Sequence, residues 1–270
     1  MLNRIWIVFI SVLATMILSL PALAHEYWLQ PDTFILPNEG LIQAHIKTGQ
    51  DFRGNNFAYL PLSVESMQIH LGDKSQPTSS RFGDYPAISE VALGDGLNIL
   101  SATTTPTKLT YEKPGKFESF LRNEGLDWVL AEHHKRQLPE TGFTEIYSRY
   151  TKALVKVGSG KGADRKIGHT FEWVLETNPY TNEQNKLVAQ LWWQDKILAN
   201  HQLRYFIQTG KNLTTDIAIT DKNGRANIPY KPGSTYMVNA VYMVTPSKEN
   251  ATKYKAVWDS RWASVTFATK

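Results

Sequence analysis

A mainly β fold, in two antiparallel β-sandwich-like domains with a short helical insertion between them, is predicted by three observations. Short runs of alternating apolar and polar residues recur up to Phe120 and are separated by turn-forming residues. A charged stretch from Arg122 to Lys152 breaks that alternation and carries helical spacing. From Ile167 onward about seven more strand segments follow at short intervals, as in a small sandwich. The chain has 270 residues, room for one large β domain or two of ordinary size. Its 42% hydrophobic and 11% aromatic content supplies a core and excludes a disordered chain.

Residues 1–24 have the three parts of a secretory signal. Arg4 precedes an apolar run from Ile5 to Leu20, interrupted by Ser11, Thr15 and Ser19, and Pro21-Ala22-Leu23-Ala24 ends in a small-residue cleavage site. Cleavage is expected between Ala24 and His25, with export to a bacterial periplasm. The run is shorter than the roughly 20 apolar residues of a membrane span, so none is expected after cleavage. Losing one Arg and no acid lowers the formal charge from +4 to +3.

Residues 25–157 are expected to form the first β-rich domain. Glu26–Gln30 is strand-like and ends at Pro31. Leu41–Lys47 alternates Ile42, Ala44 and Ile46 against Gln43, His45 and Lys47; Val64–Leu71 alternates in the same way. Further strands are expected at Gly96–Thr103, Thr107–Tyr111 and Lys116–Phe120. Leu126, Val129, Leu130 and His133, then Phe143, Ile146, Tyr147 and Tyr150, place a helical segment at about 123–150, broken at Pro139–Gly142. A strand follows at Ala153–Val157. Residues 158–166 read by composition as a flexible linker, and 167–270 as the second sandwich. In that second part Thr220-Asp221-Lys222-Asn223-Gly224-Arg225 is a strong hairpin-turn signal.

Several function classes are excluded. Lys and Arg number 29 against 25 Asp and Glu, and they form no clustered basic patch, so nucleic acid is not an expected partner. With no cysteine, a disulfide, a thiolate metal site and a cysteine nucleophile are all impossible. No G-x-S-x-G elbow, HExxH pair or phosphate loop occurs, and an enzyme is not expected.

The cut itself creates the leading candidate site. A terminal His25 offers its α-amine and imidazole Nδ1 to close one chelate ring on a metal. Their reference pKa values of ~7.7–8.0 and ~6.5 let both deprotonate near neutrality. Such nitrogen donors suit Cu²⁺, Ni²⁺ and Zn²⁺. His45 and His70, on polar faces of alternating strands, and Asp51, in the Gly-Gln-Asp loop after the Leu41–Lys47 strand, are the further candidate ligands. His133 and His134 are adjacent on a helix, diverge by about 100°, and fit a solvated face better than a shared site. A second function class is a non-catalytic envelope module that recognises glycans or proteins through surface aromatics such as Trp192, Trp193, Trp258 and Trp262.

Stretches spread through the mature chain carry a resemblance. They are His25-Glu26-Tyr27-Trp28-Leu29-Gln30-Pro31, Thr48-Gly49-Gln50-Asp51-Phe52-Arg53-Gly54, the run from Glu145 to Val155, Glu176-Thr177-Asn178-Pro179-Tyr180, and Trp258-Asp259-Ser260-Arg261-Trp262. In this order they resemble the exported bacterial family grouped as domain of unknown function 4198, often labelled a periplasmic component of cobalt or nickel uptake. The second half also looks like a transthyretin-like or carboxypeptidase-regulatory sandwich, through Asp221-Lys222-Asn223-Gly224-Arg225 and Pro232-Gly233-Ser234-Thr235-Tyr236. The resemblance implies nickel or cobalt as the metal bound through His25, and a membrane metal transporter as the partner that receives it.

Overall fold

The computed structural model describes residues 26–38, 40–182 and 186–270; the expected signal segment and His25 lie outside the described residues. The chain opens with β1 (Glu26–Pro31), β2 (Ile35–Leu36), β3 (Leu41–Gln50), β4 (Arg53–Phe57) and β5 (Val64–Leu71). It continues with β6 (Lys74–Pro77), β7 (Ile88–Val91), β8 (Gly96–Thr104) and β9 (Thr107–Tyr111). Alternation works here as the sequence predicts: Ile42, Ala44 and Ile46 of β3 are buried, while Gln43 and His45 are half-exposed. Two helices follow, α1 (Lys116–Asn123) and α2 (Asp127–Lys135), and then the long β10 (Phe143–Val157).

This stretch corrects the sequence expectation twice. Lys116–Phe120 is helix rather than strand, because Phe117, Phe120 and Leu121 fall on one helical face and are buried together. Phe143–Tyr150 is strand rather than helix. Strand β10 is covered on both faces, so apolar residues occupy odd and even positions alike and period-two alternation disappears. The helical spacing of Phe143, Ile146, Tyr147 and Tyr150 is then a coincidence of that double burial.

The remaining elements are β11 (Phe171–Leu175), β12 (Leu187–Trp193), β13 (Lys196–Ile197), β14 (Gln202–Thr209) and β15 (Asn212–Ile219). After them come β16 (Arg225–Ile228), β17 (Thr235–Val244), α3 (Lys248–Tyr254) and β18 (Ala256–Ala268). Helix α3 buries no side chain, which is why no apolar period announces it; Ser247 caps it by accepting from Asn250 N at 3.1 Å. The expected turn at Asp221–Arg225 forms, with Asp221 Oδ1 accepting from Asn223 N and Arg225 N. It does not close a hairpin, since β15 and β16 belong to different sheets.

Three sheets stack. The largest has ten strands in the order β15-β14-β17-β18-β10-β8-β5-β6, with β2 and β9 also paired to β10. It draws strands from both sides of residues 158–166, and its central pair, β10 with β18, is parallel. On one face lie β1, β3, β4 and β7, closing a core of Leu29, Ile42, Ile46, Ile69, Leu100 and Val155. Helices α1 and α2 cover Trp258 and Trp262 beside it. On the other face β11, β12, β13 and β16 close a core of Phe171, Trp173, Leu191, Tyr236 and Phe267. Strand β1 is an edge strand, and hydroxyls of the large sheet serve its outer backbone. Thr151 Oγ1 accepts from Leu29 N at 3.3 Å, and Ser264 Oγ and Thr266 Oγ1 each donate at 2.7 Å, to Tyr27 O and Leu29 O.

The 158–166 stretch is tied down rather than free. Ser159 N donates to Asp95 Oδ1 at 2.7 Å, Lys161 O accepts from Leu97 N at 2.8 Å, and Asn178 Nδ2 donates to Gly160 O and Gly162 O. Its strongest anchor is Asp164, buried with Lys152 and Glu172. Lys152 Nζ of β10 reaches Asp164 Oδ1 at 2.8 Å, Arg165 O at 3.1 Å and Glu172 Oε1 at 3.2 Å, so all three ammonium protons are used. Removing the cation would strand two carboxylates without water. Lys152→Ala is therefore expected to cost about 3–5 kcal/mol in urea unfolding. A loss below about 1 kcal/mol, the range of an exposed pair, would show that the triad is not holding the layers.

Candidate functional site at the amino end of β1

Strand β1 begins at Glu26, paired with Gly49 of β3, and Gly49 is paired in turn with Gly54 of β4. Both positions demand glycine: a Cβ would stand 1.9 Å from Arg53 O at Gly49 and 2.4 Å from Thr48 O at Gly54. Between them Asp51 and Phe52 make a two-residue turn with φ of 53° and 56°. Left-handed backbone at both central residues normally calls for Asn or Gly and costs about 1–2 kcal/mol per ordinary residue. Ring contacts of Phe52 with Trp28 (5.4 Å) and Phe206 (6.4 Å) offset that strain.

The turn presents Asp51 to a small charged cluster. Arg204 of β14 places Nη2 3.9 Å from Asp51 Oδ1 and Nη1 3.8 Å from Glu124 Oε1. Glu124 caps the end of α1 and is 8% exposed; Glu26 is 5% exposed. Burial pushes the Glu26 carboxyl up to about 7 against the pull of a hydrogen bond from its own backbone; the negative charges of Glu124 and Asp51 add and Arg204 opposes. Burial likewise raises Glu124 to about 7 against the pull of Arg204. Asp51 and Glu124 thus share one guanidinium, and Glu26 lies in the field of all three. Among the described residues Glu26 Oε2 and Arg204 Nε, both buried, have no hydrogen-bond partner.

Glu145 shows what a satisfied buried acid looks like in this fold. Tyr111 OH donates to its Oε2 at 2.8 Å, and Ser260 Oγ donates to Oε1. Its carboxyl is also raised to about 7, by burial first, yet both oxygens have donors. Glu26 differs in that its Oε2 has no hydrogen-bond partner among the described residues, a condition it shares with Asp259 Oδ1.

The sequence candidates do not all converge. Asp51 belongs to the cluster. His45 does not: it pairs with Gln30, four residues along β1 from Glu26, about 13 Å by strand rise. Its Nε2 lies 3.2 Å from Asp32 Oδ1. His70 is on the opposite face of the large sheet, five strand steps and about 24 Å from Arg204. Its Nε2 is 2.8 Å from Ser101 Oγ, and it lines a polar cavity of about 480 Å³. Glu26, Glu124 and Arg204 were absent from the sequence expectation, since no local spacing joins β1, α1 and β14. Among the described residues no three His, Asp or Glu side chains are close enough to hold a metal ion by themselves. Of the histidines expected on a solvated helix face, His134 is exposed and His133 is not. His133 Nδ1 accepts from Trp258 Nε1 at 2.9 Å, and its Nε2 meets Pro139 O at 3.0 Å. Trp258 and Trp262 are core residues, whereas Trp192 and Trp193 are half-buried. No helix among the described residues is long and apolar enough to cross a membrane.

Comparisons with known proteins bear on the same segments. The family described as Domain of unknown function (DUF4198) matches residues 22–244. No curated protein matches the chain. A crystal structure of a tetra-tandem repeat in the extending region of a large adhesion protein is similar at 10% identity, over 92% of this chain. The TM-score is 0.20, and the chain spans 50% of that protein's length.

The buried Glu145 sets a pH dependence whose sign follows from its raised carboxyl. The folded state holds a proton up to about 7, whereas the unfolded chain releases it near 4.5, so stability falls as pH rises through that window. At ~1.4 kcal/mol per pH unit, wild-type stability relative to Glu145→Gln is expected to fall by about 3 kcal/mol across it. Urea unfolding at a series of pH values measures the difference, and parallel profiles for the two proteins would refute it.

Proposed function

The chain belongs to the DUF4198 family, and from that premise we propose that it is an exported protein that captures a divalent transition metal, nickel or cobalt, at its mature amino terminus for delivery to an uptake system. The observation that carries this reading is the buried Oε2 of Glu26, unpartnered among the described residues and on the residue bonded directly to His25. His25 would supply its amine and imidazole, Glu26 a carboxylate oxygen, and Glu124 or Asp51 the rest. His45 and His70, remote from Glu26, play no part.

Charge supports the same assignment. With Glu26, Asp51 and Glu124 ionised, Arg204 balances one of three negative charges. A dication balances the other two and removes the cost of keeping unpaired carboxylates out of water. Nitrogen donors from His25 select a transition metal over calcium or magnesium, which take oxygen alone. The bound metal acts as cargo; the chain's own groups bind and neutralise it.

The test compares mature protein beginning at His25 with a form carrying one extra residue before it, each titrated calorimetrically with Ni²⁺ and Co²⁺. Extension is expected to weaken binding at least tenfold, and Glu26→Gln to weaken it by about tenfold in the native-terminus form. Equal affinity in the two forms would overturn the terminal chelate. Absence of binding in both would overturn the metal reading altogether. Cu²⁺ is the weaker probe, because it outcompetes its neighbours at almost any nitrogen site.

A further inference from the structure

The cavity beside His70 lies where the large sheet forks. Strand β8 pairs with β10 only over Gly96–Ile99 and Leu154–Val157, and β9 pairs with β10 over Phe143–Tyr147. Between these ladders β8 turns away with β5, leaving Ser148–Ala153 of β10 without a ladder partner on that side among the described residues. The gap is where the cavity of about 480 Å³ opens, a volume within the range of about 300–1,000 Å³ of small-molecule sites. Gln68 and His70 of β5, Ser101 of β8, Ser148 and Tyr150 of β10, and His169 line it.

The wall is polar, and its buried charges are paired. Arg261, which also faces the cavity, donates from Nη1 to Tyr150 OH at 2.9 Å and from Nη2 to Asp259 Oδ2. Lys152, behind the wall, is neutralised by Asp164 and Glu172. Glu65 stands exposed at the rim. Both imidazoles stay uncharged at neutral pH. Burial first, then the cations Arg165 and Lys152, lowers His70 to about 4, and burial with Lys152 lowers His169 to about 3. Each neutral imidazole offers one N–H donor and one acceptor nitrogen, as hydroxyls and amides also combine both roles. His169 lies against the Tyr150 ring with centroids 5.6 Å apart, which adds an aromatic surface.

We propose that this cavity binds a neutral, polyhydroxylated small molecule, a mono- or disaccharide, through paired donors and acceptors on Gln68, Ser101, Ser148 and His169 and the ring of Tyr150. Every sugar hydroxyl both gives and takes a hydrogen bond, which matches a wall of groups that do the same. The guanidinium of Arg165 is held by the carbonyls of Gly72 and Lys166, Arg261 is held by Asp259, and the cationic field that lowers His70 disfavours a metal ion here. The site is independent of the amino-end cluster, since it opens on the other face of the sheet.

The experiment is a ¹⁵N-correlated NMR titration of the full mature protein with glucose, galactose, N-acetylglucosamine, maltose and cellobiose, with gluconate and Ni²⁺ as contrasting probes. At least one neutral sugar is expected to shift amides confined to 65–70, 101–103, 148–150 and 167–170. Gln68→Ala and His169→Gln, each with a retained unfolding midpoint, are expected to weaken that sugar at least fivefold. Blocking His25 with an added residue is expected to leave it unchanged. No shift with any sugar at millimolar concentration would overturn the proposal. So would gluconate or Ni²⁺ acting at these amides in preference to the sugars, or unaltered affinity in both variants.

Discussion

The buried ion triad of Lys152, Asp164 and Glu172 is the constraint on which the three layers depend. Lys152 sits on β10, at the centre of the large sheet; Asp164 lies in the crossing segment and Glu172 on β11 of the covering sheet. The two acids also receive backbone protons: Asp164 Oδ2 from Leu175 N at 2.7 Å, and Glu172 from Ile167 N and His169 N. One ammonium therefore orients the start of an entire sheet. A triad this deep gains its Coulomb energy against a large desolvation penalty, so its effect lies more in fixing geometry than in adding stability. That geometry includes residues 167–170, which shape the cavity beside His70.

On the opposite face of the same sheet, β1 is held by a different device. Its outer edge meets Thr151, Ser264 and Thr266, three hydroxyls at positions where an all-apolar face would leave backbone groups unpaired. Trp28 then packs with Phe206 and Met237, and its ring closes over Gly54. The consequence reaches the amino end. Because β1 cannot slide, Glu26 stays opposite Gly49, and the strained Asp51–Phe52 turn stays beside Arg204. With no cysteine available, register is set by hydroxyls, glycines and one guanidinium instead of a covalent bridge.

What was legible in the sequence depended on how many faces a segment buries. Strand β3 alternates because one face packs and the other stays wet, so its start followed from residue order although it runs on to Gln50; the span of β5 followed in full, with His70 buried on its polar face. Strand β10 packs on both faces and imitated a helix; α1 was expected as a strand although Phe117 and Phe120, three apart, with Leu121 already carry helical spacing. Residues 158–166 looked flexible by their glycines, yet Asp164 in that stretch is among the most firmly bound side chains. Of the site, only Asp51 was visible beforehand among the described residues. Glu26, Glu124 and Arg204 meet through pairing of elements far apart in the chain, a relation that local spacing does not encode.

The two polar regions of this molecule obey opposite electrostatic rules, and the contrast argues for two kinds of ligand. Around the cavity the buried charges Lys152 and Arg261 have carboxylate partners, so what they leave for a ligand is mainly directional hydrogen bonding. At the amino end Asp51 and Glu124 lie nearly 4 Å from one arginine and Glu26 shares their field, with an oxygen of Glu26 and a nitrogen of Arg204 unpartnered among the described residues. A fold that satisfies Glu145 with two hydroxyl donors and Lys152 with three acceptors is able to satisfy Glu26 by the same means. That it does not among the described residues, at the one buried acid bonded to the residue after the expected cut, is the observation on which the proposed cation site rests.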